Sequence, residues 1–187
     1  VSSERRNWTS HISKATWAAS FIENTSEPRK EIETYNGPQI VHFYGYKGGQ
    51  GRSTVLALLA KSLANDGHRV LVMDADIEAP SLDAMFGVMG DSYSQTLMGL
   101  CGWDNHLQPI VAYSGKYDGR VDIIPCRPRT EAADLDFAVL VATSPLTPTT
   151  FESAASLLRL FIESEHSNYD AVLIDHRTGI ASSVIPI

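Results

Sequence analysis

The stretch Tyr44-Gly-Tyr-Lys-Gly-Gly-Gln-Gly-Arg-Ser-Thr54 carries residue types at a spacing suited to holding phosphate. Gly48, Gly49 and Gly51 accept positive φ and, lacking Cβ, let an oxygen approach the backbone closely. Successive backbone N–H groups in such a loop converge on an anion, and a helix starting just after it adds partial positive charge. Ser53, at that helix start, can offer its hydroxyl to a phosphate-bound magnesium ion. The competing reading is a glycine-rich turn with no ligand.

The flanking elements favour the phosphate reading. Ile40-Val-His-Phe-Tyr44 reads as a buried strand leading in, and Ser53 to Asp66 as a helix leading out. Val55, Leu58, Leu59 and Leu63 recur at helical spacing on one face of that helix, and Gly67 sits where a C-terminal cap belongs. Arg69-Val-Leu-Val-Met-Asp74 is a near-continuous apolar strand of the kind buried on both faces of a parallel sheet. It runs into Asp74-Ala-Asp76-Ile-Glu-Ala-Pro80-Ser-Leu-Asp83, and ligands bind open α/β sheets at such carboxyl ends. Asp74 and Asp76 are candidates there, against a turn or helix-capping role, which is the preferred reading for Asp83. Tyr169-Asp-Ala-Val-Leu-Ile-Asp175 is another apolar strand, followed by His176-Arg-Thr-Gly179.

The remaining chain is read more coarsely. Residues 1–38 lack glycine before Gly37 and any long apolar run; Trp8, Ile12, Trp17 and Phe21 suggest one amphipathic helix, packing on the domain or docking a partner. Gly87 to Gly119 reads as a short helix with irregular connections, Trp103 as packing, and Val121-Asp-Ile-Ile-Pro125 as a short strand. Residues 130–148 are partly helical. A capped helix opens at Thr149 or Thr150 with Glu152 in its first turn and reaches about Glu165, burying Leu157, Leu158, Leu160, Phe161 and Ile162. Strands alternating with helices give an α/β three-layer fold with a mostly parallel sheet. The domains are a helical extension, 1–38, and a domain from 39 to 187.

Composition excludes several classes. The 187 residues, 43% apolar and 20% charged, suit one ordinary globular domain. A net charge of −7 leaves a broad nucleic-acid surface unsupported. No apolar run approaches the roughly 18–20 residues of a membrane span, and no signal-peptide pattern is present. Cys101 and Cys126 are outside any CxxC and read as reduced intracellular thiols, which points to the cytoplasm. The histidines show no HExxH spacing, no GxSxG elbow occurs, and the loop is not GxGxxG. A start at Val1 and a stop at Ile187 soon after a core strand suggest the front part of a domain cut at its C-terminus.

The motif KGGQGRST resembles the deviant Walker A loop of the ParA/MinD-type P-loop ATPases, KGGxGK[ST]T, and in particular a KGGxGR[ST] branch. The acidic strand end at Asp74-Ala-Asp76 resembles the family's switch loop. The segment from Asp175 to Gly179 resembles its Walker B and switch II segment, DxxxG. The resemblance covers roughly residues 39–83 and 169–179. It implies ATP and Mg²⁺ as cofactors and a slow ATPase working as a nucleotide-dependent homodimer, with some further protein partner.

The resemblance also assigns roles. It implies that Lys47 reaches the partner's phosphates and that Gly48, Gly49, Gln50 and Gly51 cradle phosphate. Arg52 would touch the β/γ oxygens, Ser53 magnesium and Thr54 the α-phosphate. Asp76 would serve water or metal, Asp175 would hold a magnesium-bound water, and Gly179 would sense the γ-phosphate. Asp74 would be structural or metal-linked. His176 and Arg177 lie inside that last segment, as contacts to partner or phosphate or as exposed loop residues. Arg127 and Arg129 read as solvated surface, with a phosphate- or partner-facing role as the alternative.

Arg52 stands where the family usually has lysine, and a planar guanidinium is not equivalent to a compact ammonium on phosphate. That opens a second reading, a nucleotide-sensing scaffold that hardly hydrolyses ATP. A third is a DNA-partition ATPase whose DNA-binding surface lies outside this chain. A capsule-type tyrosine kinase relative fits less well, because no tyrosine cluster ends the chain.

Overall fold

A computed structural model of the chain describes residues 37–45, 49–76, 79–101, 107–143, 158, 160–165 and 168–178. Lys47, Gly48, Gly179, Trp103, the helix expected within residues 1–36 and the start of the helix expected at Thr149 lie outside them. Among the described residues five strands form one sheet: β1 (Gln39–Gly45), β2 (Arg69–Ala75), β3 (Ile110–Ser114), β4 (Arg120–Ile124) and β5 (Ala171–Thr178). Their order across the sheet is β1-β5-β2-β4-β3. All neighbours are parallel except β3, which pairs antiparallel with β4. The helices among the described residues include α1 (Arg52–Asn65), α2 (Leu82–Phe86) and α3 (Glu131–Thr143), with 3₁₀ turns at Tyr93–Gln95 and Leu97–Cys101; residues 158 and 160–164 are helical as well.

The central strands are apolar on both faces because both faces are covered. Leu71 and Met73 of β2, Ile124 of β4, and Val172 and Ile174 of β5 pack with Leu158, Ile162 and Tyr169 in one cluster. The alternate residues of β2 and β5, including Val70, Val72 and Leu173, are also fully buried. Period-2 alternation therefore puts Asp74 and Asp175 on the face opposite the Leu158 cluster. Burying each such aliphatic side chain contributes roughly 1.5–3 kcal/mol.

Several expectations change. In α1 the buried residues are Leu56, Ala57, Ala60, Leu63 and Ala64, whereas Val55 and Leu58 are 56% and 64% exposed. Small alanines let the helix lie close to the sheet, so the inward face is the one that carries Ala57, Ala60 and Ala64 with Leu56 and Leu63, and not the one marked by Val55 and Leu58. Leu160 is likewise exposed. β1 is half exposed rather than buried, since it stands at the end of the described sheet with a neighbour, β5, on one side. The stretch read as irregular before Gly119 contains β3, which a tight turn returns along β4: the Gly115 N–H donates to Gly119 O at 2.8 Å, and the Gly119 N–H to Lys116 O at 2.9 Å.

This hairpin presses on the end of α1. The helix closes with a Schellman pattern, Gly67 N–H to Ala64 O (3.1 Å) and His68 N–H to Leu63 O (3.0 Å), with Gly67 at φ 93°. A Cβ at Gly119 would stand 2.0 Å from the Ala64 carbonyl oxygen. Lys61 adds a cation over the rings of Phe86 and Tyr113. Gly119→Ala is expected to lower stability by roughly 1–3 kcal/mol through this overlap. Denaturant unfolding beside Ser62→Ala, an exposed helix position expected to stay within about 0.5 kcal/mol, measures it.

Candidate functional site

Three chain segments meet at the carboxyl edge of the sheet, beside the start of α1. Gly51 is the N-cap at φ 71°, ψ 17°, and Gly49 has φ 76°. Only glycine takes these conformations readily, and a Cβ at either position would project into open space, with nothing within 4 Å. The helix carries no side-chain cap and no acidic residue in its first turn. Its early N–H groups and their partial positive charge are thus not neutralised by the helix's own residues.

Neutralisation comes from the neighbouring strands. Arg52 Nε donates to Asp175 Oδ1 at 2.6 Å and Arg52 Nη2 to Asp76 Oδ2 at 3.2 Å. The Ser53 hydroxyl donates to Asp175 Oδ2. Asp175 is 1% exposed, and both its oxygens are engaged by successive residues of one helix turn. Asp76 also accepts the Ala79 N–H on Oδ1, at 3.1 Å. Arg52, Ser53, Asp76 and Asp175 therefore form one cluster, with Gln50 and Thr54 exposed beside it.

Asp74 does something different. Its Oδ1 accepts the Asp76 N–H at 3.1 Å, and its Oδ2 accepts the Ser81 and Leu82 N–H groups, each at 2.9 Å. It caps the chain turning from β2 into α2. Burial raises its pKa to about 6, with Asp175 adding to the rise against the three N–H bonds.

Three further pairs depart from the sequence reading. β5 continues through Thr178, so His176 is a strand residue, 3% exposed, and not an exposed loop residue. It stacks on His42, with His42 Nδ1 and His176 Nε2 2.6 Å apart. Arg129 is not simply solvated: it forms an ion pair with buried Asp83. Arg127 bonds Asp134 at 2.5 Å. The Arg129–Asp83 partners are 46 residues apart, and no spacing in the sequence marks them.

The oxygen donors Ser53, Asp76 and Asp175 are of the kind magnesium takes, and the open space at Gly49 and Gly51 suits an anion. Among the described residues no group of three or more His, Cys, Asp or Glu could hold a metal ion by itself. No helix among them is long and apolar enough to cross a membrane.

A glycine loop, a helix N-terminus and a strand-end aspartate in this topology define a P-loop NTPase. Comparisons with known proteins agree. A family model described as ParA, NUBPL iron-transfer P-loop NTPase, matches residues 38–114. The antiactivator FleN of Pseudomonas aeruginosa is 26% identical over 157 residues, covering 83% of this chain and 49% of that protein. An iron-sulfur cluster carrier protein of Clostridium perfringens is 41% identical over 66 residues, covering 35% of this chain and 23% of the relative. The cell division ATPase MinD of Pyrococcus furiosus matches in structure with a TM-score of 0.52 and 27% identity, covering 76% of this chain and 52% of that one. The chain is thus similar to ParA/MinD-type P-loop NTPases, with the family match lying on the segment that carries the glycine loop and α1. It spans about half or less of the length of these relatives.

The histidine pair makes stability depend on pH. At 2.6 Å one ring nitrogen must donate and the other accept, so the pair cannot hold a proton on both facing nitrogens. Burial, then His42 and Arg52, lower the His176 pKa from 6.5 to about 4. Between those values the unfolded chain binds more protons than the folded one, so His176 makes stability fall as pH drops from 6.5 toward 4. Asp74, raised from 3.8 to about 6, acts oppositely over much of that window. His176→Gln is expected to remove the acid-side loss, read as a smaller drop in denaturation midpoint from pH 6.5 to pH 4.5; an unchanged drop would contradict this account.

Proposed function

We propose that the chain binds ATP with Mg²⁺ at the cluster of Arg52, Ser53, Asp76 and Asp175 and acts as a slow ATPase whose nucleotide-dependent dimerisation is its output. The supporting observation is the convergence of a helix-start hydroxyl, a loop cation and two strand-end carboxylates beside glycines in left-handed conformation. Phosphate would lie along the backbone from Gly48 to Gly51 and at the N–H groups of Arg52, Ser53 and Thr54. Ser53 and Asp175, with Asp76, would hold magnesium and its waters. When bound, magnesium supplies charge neutralisation to the β and γ oxygens.

Arg52 has two competing sets of partners. In this structure its guanidinium bridges Asp175 and Asp76. Phosphate oxygens would draw it away and free those carboxylates for metal and water. Asp76 is the residue to orient the attacking water, Lys47 to act across the dimer, and Gly179 to follow the γ-phosphate. Arg52 also supports a second reading, a sensor that binds ATP with little turnover, because a bridging arginine holds both carboxylates away from water. The chain's net charge of −7 gives no support to nucleic-acid binding by this segment.

Mg-ATP binding and turnover, measured on the full-length protein, separate these readings. Asp175→Asn is expected to lower turnover by about 10²-fold, roughly 3 kcal/mol of metal-linked stabilisation. Arg52→Lys is expected to raise turnover of an attenuated ATPase. Binding without turnover in either form would favour the sensor, and no binding at all would overturn the nucleotide reading.

A further inference from the structure

The carboxylate of Asp76 stands on a connection that is held from a third strand. Arg129 follows the end of β4, the sheet neighbour of β2, and its own N–H bonds Gly90 O at 3.3 Å. Its guanidinium makes a two-pronged contact, Nε to Asp83 Oδ2 at 2.5 Å and Nη2 to Asp83 Oδ1 at 2.7 Å. Nη2 also reaches the Pro80 carbonyl at 3.0 Å. One side chain thus grips both the backbone just before α2 and a carboxylate in its first turn. The N–H groups of Ser81 and Leu82, between those two points, are the ones capped by Asp74, and Asp74 also holds the Asp76 N–H.

The Asp83 side chain is 3% exposed, so its charge depends on this partner. Burial alone would raise its pKa, but the Arg129 hydrogen bond and the Ala84 N–H outweigh burial and lower it. A planar fork satisfies two carboxylate oxygens together, which a lysine ammonium does not reproduce.

We propose that Arg129 is a positioning residue for Asp76: through Asp83 and Pro80 it fixes the 79–83 connection, and thereby the place where Asp76 meets Arg52 and an incoming nucleotide. Its catalytic consequence rests on the function proposed above; its effect on the connection does not.

Arg129→Ala, Arg129→Lys and the double variant Arg129→Ala/Asp83→Asn, made in the full chain, test this. Amide hydrogen exchange at Ala79, Ser81 and Leu82 is read without nucleotide, against Val172 to Ile174 as internal reference. Arg129→Ala is expected to speed exchange at the three connection amides by about tenfold or more while the reference amides hold within about twofold. It is expected to lower kcat about tenfold with KM for Mg-ATP nearly unchanged, because misplacement of a reacting group costs rate rather than binding. Arg129→Lys should recover only part of both effects. The double variant, which removes the unpaired buried charge, should recover the denaturation midpoint but not kcat. Unchanged exchange in Arg129→Ala, or a kcat that returns together with stability in the double variant, would overturn the proposal. If the parent neither binds nor turns over ATP, the function proposed above fails, and the exchange result alone still decides whether Arg129 holds the connection.

Discussion

A buried carboxylate in need of partners, that of Asp175, organises the carboxyl edge of this sheet. A charge 1% exposed persists only when its oxygens are satisfied, and here both are, by Arg52 and Ser53 at the start of α1. That requirement ties the glycine loop to β5. Because β5 lies between β1 and β2, the same arginine also reaches Asp76 beyond the end of β2. Loop, helix and two strand ends are thereby drawn to one point.

Other buried acids are held by separate partners, and this separates their roles. Asp74 takes three backbone N–H groups and shapes the turn into α2. Asp83 takes the fork of Arg129. Asp122, on β4, takes the Tyr169 hydroxyl at 2.8 Å and Arg120 at 2.9 Å, both on Oδ2, while its buried Oδ1 has no hydrogen-bond partner among the described residues. Asp175 and Asp76 differ in being held by Arg52, beside the glycine loop. Under the proposed function these two acids would respond to ligand, whereas the backbone-capped and Arg129-paired acids form the frame around them.

Much of this was legible in the sequence where the signal is local. The apolar runs of β2 and β5, the glycine loop, Gly67 as a cap and the aspartates at strand ends all follow from neighbouring residues. The inward face of α1 was not, because the alanines that permit close packing carry less hydrophobic signal than Val55 and Leu58. β3 was missed because its pairing depends on a turn whose glycines are required by the approach of Ala64, a residue far away in sequence. The burial of His176 depends on how far β5 runs beside β1 and β2, which pairing decides.

Local sequence was enough for the fold class and for the place of the candidate site, since a glycine-rich loop, a helix-start hydroxyl and strand-terminal carboxylates are short patterns with direct physical meaning. Which charges meet was left to the fold. Arg52 with Asp175, Arg129 with Asp83 and His42 with His176 join residues separated by 123, 46 and 134 positions. Such pairs follow from strand order, and strand order comes from non-local burial and backbone pairing that no local spacing encodes.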